Sequence, residues 1–179
     1  MKKILSIVAL TVAFANCCAQ KKPIMTSETT TIQTNDMLIG KHVKEELLKT
    51  PYSLWFNPNY DNYKPSIATL SELKKHTDDV TITVFLGTWC EDSQQKVPEF
   101  YKVLDAIDFD TEKVTLIMVD KSKTTPEKLE NGLNIANVPT FIFHKDGKEI
   151  HRIVESYMES AEKDMLKILS GQPYKHAYE

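Results

Sequence analysis

The stretch from Val80 to Ile107 constrains the fold more than any other part of this sequence. It opens with the apolar, β-branched run Val80–Leu86 and passes through Thr88-Trp89-Cys90. It then continues with apolar residues at helical spacing, namely Val97, Phe100, Tyr101, Leu104 and Ile107. This pattern predicts a buried strand, a tight turn and an amphipathic helix. Cys90 would then lie at the helix N-terminus, where free backbone N–H groups and the helix dipole favour a thiolate.

Ser93 follows three residues after Cys90, on the same face of the predicted helix. We therefore expect its hydroxyl to point at the sulfur. Serine cannot form a disulfide, so any exchange chemistry at Cys90 would proceed without a second cysteine beside it.

Four motifs in this order resemble the thioredoxin superfamily. They are Trp89-Cys90-Glu91-Asp92-Ser93, similar to Trp-Cys-x-x-Cys with serine as its last member; Pro98, where thioredoxins kink this helix; Val138-Pro139-Thr140, similar to the cis-proline segment; and Asp146-Gly147, in the turn between the last two strands. The resemblance covers Ser66 to Gly171. The sequence departs from the family pattern at Ser93, at the acidic pair Glu91-Asp92, and at Val84, where thioredoxins keep a buried carboxylate.

The resemblance implies an α/β fold, a thioredoxin-like three-layer sandwich with a central mixed sheet of about four strands flanked by helices. The apolar run Val114–Val119 fits a buried strand beside the Val80 strand. Pro126 to Leu133 fits a crossover helix. Residues 141–143 and 149–154 fit a hairpin around the Lys145–Lys148 turn, and Ser160–Leu169 fits a closing helix before Gly171.

Four segments make up the predicted domain organisation. Residues 1–19 resemble an export signal, with Lys2-Lys3 before an apolar run too short to span a bilayer, and cleavage is expected after Ala19. Lipidation of Cys17 or Cys18 is the alternative. Residues 20–36 are polar and aperiodic and are expected to be a disordered tether. Residues 37–65 form an N-terminal extension that packs on the core, and residues 66–179 form the thioredoxin-like domain.

Export would leave Cys90 as the one thiol of the folded body. A single cysteine in an exported protein is either reactive or buried and inert, and its position after Trp89 favours reactivity. Removal of Lys2 and Lys3 leaves 20 basic residues against 25 acidic ones, a net charge of −5. This charge argues against nucleic acid as a partner.

The extension carries a short predicted helix over Gly40–Lys49 and then an aromatic-dense stretch, Tyr52, Trp55, Phe56, Tyr60 and Tyr63. The aromatic residues could form a substrate-binding lip near Cys90. The favoured interpretation is an irregular wrap on the core, because proline and asparagine interrupt the stretch.

The resemblance implies that Trp89, Val138 and Pro139 contact the substrate. A cis bond before Pro139 would present the Val138 backbone to a peptide that pairs as an added strand; an ordinary trans proline at a strand start is the alternative. Glu91 and Asp92 are either acid/base groups that modulate ionisation of the thiol or acids that complement the helix dipole.

His144 and His151 would be diagonal neighbours if the hairpin loop had four residues, which invites a metal interpretation. No third ligand accompanies them in the sequence, so we interpret both as ordinary sheet residues. No metal or other cofactor is implied.

Two functional hypotheses follow. In the first, Cys90 forms mixed disulfides with exported proteins or small thiols, in the periplasm or outside the cell, and release needs an external thiol. In the second, the fold is a redox-inactive binding or chaperone-like module. The intact Trp-Cys and proline motifs favour the first hypothesis.

Overall fold

The computed structural model describes residues 37–179, which form an α/β structure around one sheet. The predicted export signal and tether lie outside the described residues. The elements are β1 (Gly40–His42), α1 (Lys44–Leu47), α2 (Ser53–Asn62), α3 (Ile67–Leu73), β2 (Val80–Leu86), α4 (Glu91–Ala106), β3 (Val114–Met118), β4 (Thr140–Lys145), β5 (Lys148–Val154) and α5 (Ala161–Leu169). Within this range no helix combines the length and the apolarity needed to cross a membrane.

The sheet has five strands in the order β1-β3-β2-β4-β5. Strand β2 pairs in parallel with β3 and antiparallel with β4, so that Val84 lies between Leu116 and Phe141. Strands β1 and β5 complete the two edges as antiparallel partners of β3 and β4. The predicted mixed sheet flanked by helices is confirmed, with one strand more than expected.

The second half of β2, Val84 to Leu86, is buried on both faces and is continuously apolar, whereas Thr81 is exposed and Thr83 is half-buried. Val80, Ile82, Val84 and Leu86 contribute to the larger core, which the helices α2 to α5 cover. On the opposite face a smaller apolar cluster contains Phe85, Ile117, Val119, Val138 and Ile142. Strands covered on both faces show continuous apolar runs rather than strict alternation. The sheet is therefore the middle of three layers.

Helix α4 buries the apolar positions that the sequence spacing predicted. Val97, Phe100 and Leu104 are fully buried, and the Phe100 ring lies 4.7 Å from the Phe141 ring, measured between centroids. Pro98 lies inside the helix, as the resemblance implied. Contact between α4 and β4 fixes the helix against the sheet face that carries the larger core.

The helix predicted over Gly40–Lys49 is wrong for its first residues. Gly40 has a φ of 103°, outside the helical range, and Gly40–His42 pairs with β3 instead. Only Lys44–Leu47 is helical. The strand forms because β3 would otherwise present unpaired N–H and C=O groups along its outer edge.

The crossover helix predicted from Pro126 to Leu133 is also wrong, because turns without regular helix connect β3 to β4. Lys128 has a φ of 56° and Asn134 one of 53°, values that interrupt a right-handed helix. Glu130 accepts hydrogen bonds from the Thr125 N–H and hydroxyl at 3.0 and 2.8 Å. These side-chain bonds stabilise a compact turn in place of a helix.

The aromatic stretch is a helix, not the irregular wrap expected from its proline and asparagine residues. Helix α2 accommodates Pro58 and buries Phe56, whose ring lies 5.9 Å from Tyr60 and 6.2 Å from Tyr101. Tyr60 donates to Asp105 at 2.6 Å, and burial together with this bond raises the pKa of Tyr60 to about 12. Apolar and polar contacts thus join α2 to α4.

The last two strands form a hairpin with a two-residue turn at Asp146-Gly147. Both residues have positive φ, 52° and 72°, as a type I′ turn requires. The final helix begins one residue later than predicted and ends before Gly171, whose φ of 73° suits a helix C-terminus. The turn chemistry in the sequence therefore gave the correct positions for both elements.

Phe56 provides a test of how much α2 contributes to stability. Phe56→Ala should lower the free energy of unfolding by about 3–5 kcal/mol, because it leaves a cavity among Tyr60 and Tyr101. Leu54→Ala, on the same helix but 58% exposed, should change it by less than about 0.5 kcal/mol. Urea unfolding of the two variants measures the difference. Equal losses would contradict the packing of α2 described above.

Candidate active site

Cys90 occupies the N-cap position of α4, immediately after the loop that leaves β2. Its backbone is extended, with φ −95° and ψ 124°, and its N–H donates to the Gly87 carbonyl at 3.0 Å. The Gln94 N–H donates to the Cys90 carbonyl at 2.9 Å, which closes the first turn of the helix. The side chain is partly exposed. The predicted position at a helix N-terminus is therefore observed.

The Cys90 thiol contacts the segment before Pro139. Its Sγ donates to the Val138 carbonyl at a distance of 3.2 Å, and the Val138–Pro139 peptide bond is cis. Val138 itself is buried, with its side chain in the smaller apolar cluster. The structure thus brings Cys90 against the Val138–Pro139 segment, although Val138 lies 48 positions after Cys90 in the sequence.

Ser93 does not make the contact expected of it. Its hydroxyl accepts a hydrogen bond from the Gly87 N–H at 3.2 Å, and the side chain is fully buried. The hydrogen bond of the thiol goes to Val138 instead. The physical reason is that the Gly87 N–H, in the loop after β2, is directed into the protein, and a buried hydrogen-bond donor needs an acceptor. Ser93 therefore stabilises the loop, and the expectation that its hydroxyl points at the sulfur is corrected.

Trp89 lies over the loop and is anchored to the residue that follows β3. Its Nε1–H donates to the Val119 carbonyl at 3.0 Å. The indole lies so close to Gly87 that a Cβ on that residue would be 2.6 Å from Trp89 Cε2. Glycine is thus required at position 87 by lack of space, a requirement that residue spacing in the sequence does not reveal.

Glu91 and Asp92 both lie in the first turn of α4. Glu91 is exposed and Asp92 is half-buried. Among residues 37–179 neither carboxylate forms an ion pair. Acids in this turn interact favourably with the helix dipole. Their action on the thiol remains a prediction.

Val84, which is fully buried in β2, stands where the resemblance implies a buried carboxylate. Two acids elsewhere in the domain, the half-buried Glu99 and the buried Glu162, have shifted pKa values. Burial raises the pKa of Glu99, and Lys96 at 3.6 Å offsets part of this effect. Burial acts in the same direction on Glu162. The hydrogen bonds from Tyr63 at 2.6 Å and Ser66 at 3.2 Å outweigh it and hold the pKa of Glu162 below its ordinary value.

His144 and His151 are not diagonal neighbours on one face, because a β-bulge between Phe143 and His144 shifts the pairing of β4 with β5 by one residue. His144 lies opposite Glu149 and His151 opposite Phe143. His151 Nδ1 accepts from the Arg152 N–H at 2.9 Å, and its Nε2 donates to the Tyr174 carbonyl at 3.0 Å. Both ring nitrogens are engaged by the protein. Over the described residues no three acidic, histidine or cysteine side chains converge as a metal site would need.

A cavity of about 690 Å³ lies at the outer edge of β5, between that strand and the C-terminal segment. Its lining includes Asn134, Asn137, Arg152, His176 and Tyr178. Cys90 is not part of the lining. The thiol site is instead a surface formed by Trp89, Cys90 and the Val138 backbone.

The fold and this site define a protein of the thioredoxin-like class, with a partly exposed cysteine at the N-terminus of a helix. The Thioredoxin family model matches residues 65–169, and the chain belongs to this family. Thioredoxin Y, chloroplastic, of Oryza sativa subsp. japonica is 29% identical over 89 residues, and the match covers 50% of this chain and 50% of the relative. The chain thus spans about half the length of that relative.

Two solved structures are also similar. Fasciola hepatica thioredoxin is 19% identical with a TM-score of 0.36, over 57% of this chain and 89% of that one. A Pseudomonas aeruginosa protein of unknown function is 17% identical with a TM-score of 0.49, over 66% and 81% of the two chains. Family membership, together with Cys90 at the helix start, is consistent with thiol–disulfide redox chemistry.

Gly87 provides a test of the loop geometry. Gly87→Ala should destabilise the protein by about 1–3 kcal/mol, because the added methyl group displaces the indole of Trp89. In a Trp89→Ala background the same substitution should cost much less, since the clashing ring is absent. Thermal unfolding of the wild type, the two single variants and the double variant measures this coupling. An equal cost in both backgrounds would contradict the assignment of Gly87 to indole packing.

Proposed function

We propose that this chain is an exported monothiol thioredoxin-like protein that performs thiol–disulfide exchange through Cys90. The observation that carries the proposal is the contact between the Cys90 thiol and the Val138 carbonyl beside Pro139, at 3.2 Å. It joins the helix N-terminus, which favours a thiolate, to a backbone segment that can pair with a substrate.

The reaction begins when the Cys90 thiol loses its proton and the thiolate attacks one sulfur of a substrate disulfide. The substrate S–S bond breaks as the Cys90–substrate S–S bond forms, and the leaving sulfur takes up a proton as a free thiol. A second thiol, from the substrate or from solution, then attacks the mixed disulfide and regenerates Cys90. No net oxidation or reduction of the protein occurs in this cycle. Such chemistry suits isomerisation or removal of small thiols better than net reduction.

The Val138 backbone supports the docking step. In the resting state its carbonyl accepts a hydrogen bond from the Cys90 thiol. A mixed disulfide has no S–H group, so the carbonyl becomes available to a substrate N–H. Attachment of the substrate to Cys90 and pairing with the Val138 backbone are thereby coupled. The Trp89 indole would lie beside the attached group.

The substrates that fit this proposal are exported proteins or small molecules that contain thiols or disulfides. The signal-like residues 1–19 support a periplasmic or extracellular location. Lipidation of Cys17 or Cys18 would additionally attach the protein to a membrane.

The Ser93 contact favours a second candidate function. Its hydroxyl is bound to the Gly87 N–H rather than to the sulfur, and Val84 replaces a carboxylate that could accept a proton. A domain with these features could bind exported proteins through the backbone of Val138 without redox turnover. Reactivity of the thiol separates this binding module from the enzyme.

Cys90 should react with 2,2′-dithiodipyridine at pH 7 faster than free cysteine does, because of its place at the helix N-terminus. Release of thiopyridone, followed by absorbance, gives the rate, and Cys90→Ser provides the blank. Reaction at or below the rate of free cysteine would favour the binding module.

The missing second cysteine predicts a gain of function. The wild type should reduce insulin disulfides slowly with dithiothreitol as electron source, whereas Ser93→Cys should reduce them at least severalfold faster by resolving the mixed disulfide internally. Ser93→Ala is the matched control and should show no gain. Wild-type activity equal to that of a dithiol thioredoxin, in the same turbidity assay, would contradict the monothiol mechanism.

A further inference from the structure

Pro98 creates an unmet hydrogen-bonding requirement in the helix that carries Cys90. In a regular helix the N–H of residue 98 would donate to the carbonyl of Gln94, four positions earlier. Proline has no N–H, so this carbonyl loses its partner within the helix. Pro98 is itself buried. A polar group released at such a position needs a donor from elsewhere in the protein.

Asn59 of the N-terminal extension supplies that donor. Its Nδ2 donates to the Gln94 carbonyl at 3.1 Å and to the Trp55 carbonyl of its own helix at 2.9 Å. An amide nitrogen carries two protons, so both bonds can form together. The bond to Trp55 fixes the side-chain orientation that the bond to Gln94 requires.

Gln94 in turn holds the two backbone carbonyls on either side of Trp89. Its N–H donates to the Cys90 carbonyl at 2.9 Å. Its side-chain Nε2 donates to the Thr88 carbonyl at 2.8 Å. A shift of the Gln94 backbone therefore moves the loop that carries the sulfur.

We infer that Asn59 is a positioning residue for the thiol site, and that α2 sets the placement of Cys90 through Gln94. This inference rests on the proposed exchange function. The Asn59 amide bonds to the backbone carbonyls of Trp55 and Gln94 and not to the sulfur. It replaces the hydrogen bond that Pro98 removes and so holds the first turn of α4 where the thiol meets the Val138 carbonyl.

The test compares Asn59→Ala with Asn57→Ala, an exposed asparagine on the same helix. The readout is the rate of mixed-disulfide formation between Cys90 and a cystine-containing peptide, measured from pH 5 to pH 9. Asn59→Ala should lower the limiting rate about threefold to tenfold, the factor that corresponds to loss of one hydrogen bond. Asn57→Ala should leave the whole pH profile unchanged.

Pro98→Ala should restore the rate that is lost in Asn59→Ala. The new N–H at position 98 can donate to the Gln94 carbonyl, so Asn59→Ala should have little effect on the rate in this background. If Asn59→Ala alone does not fold, the rate of the double variant is compared with that of Pro98→Ala instead. A purely structural role for Asn59 would lower the melting temperature and leave the rate profile unchanged, and it would overturn the inference.

Two further outcomes are informative. Equal losses of rate in the Asn57 and Asn59 variants, or a folded double variant that remains slow, would also overturn the positioning role. A slow reaction of the wild type itself would contradict the proposed function instead, so the two failures are distinguishable.

Discussion

The pairing of β2 on both edges is the constraint on which the rest of this structure depends. Hydrogen bonds to β3 and β4 fix its position, and side chains on both faces are buried in separate clusters. A strand held in this way ends at a defined place. The loop that follows can therefore present Cys90 to the Val138 segment at the start of β4, with little freedom for either partner to move away.

Two kinds of support act on that loop. From within the domain, Ser93 accepts a hydrogen bond from the Gly87 N–H, and Trp89 donates one to the Val119 carbonyl just after β3. From the N-terminal extension, the amide of Asn59 reaches the backbone of α4. The extension is thus connected to the thiol site by polar contacts as well as by the apolar contacts of Phe56. The extension packs on the core, but it does so as a helix rather than as an irregular wrap.

The sequence was sufficient to predict the strand–loop–helix unit around Cys90, the hairpin turn and the last helix, because each has a local signal in periodicity or turn residues. It failed for β1 and for the crossover, where edge pairing with β3 and the Thr125–Glu130 bonds decide the conformation. It also failed for Ser93 and Gly87. Their roles depend on the close packing of one loop, which residue spacing does not encode.

The ring of His151 has a consequence for self-association. Strand β5 is an edge strand, and an N–H directed outward from such a strand can pair with another chain. Here the Arg152 N–H is taken by His151 Nδ1, while the opposite ring nitrogen holds the Tyr174 carbonyl. Tyr174 is buried and donates to Asp164 at 3.1 Å. Through His151, the segment after α5 therefore covers part of this sheet edge. It thereby opposes the edge-to-edge pairing through which β-proteins aggregate.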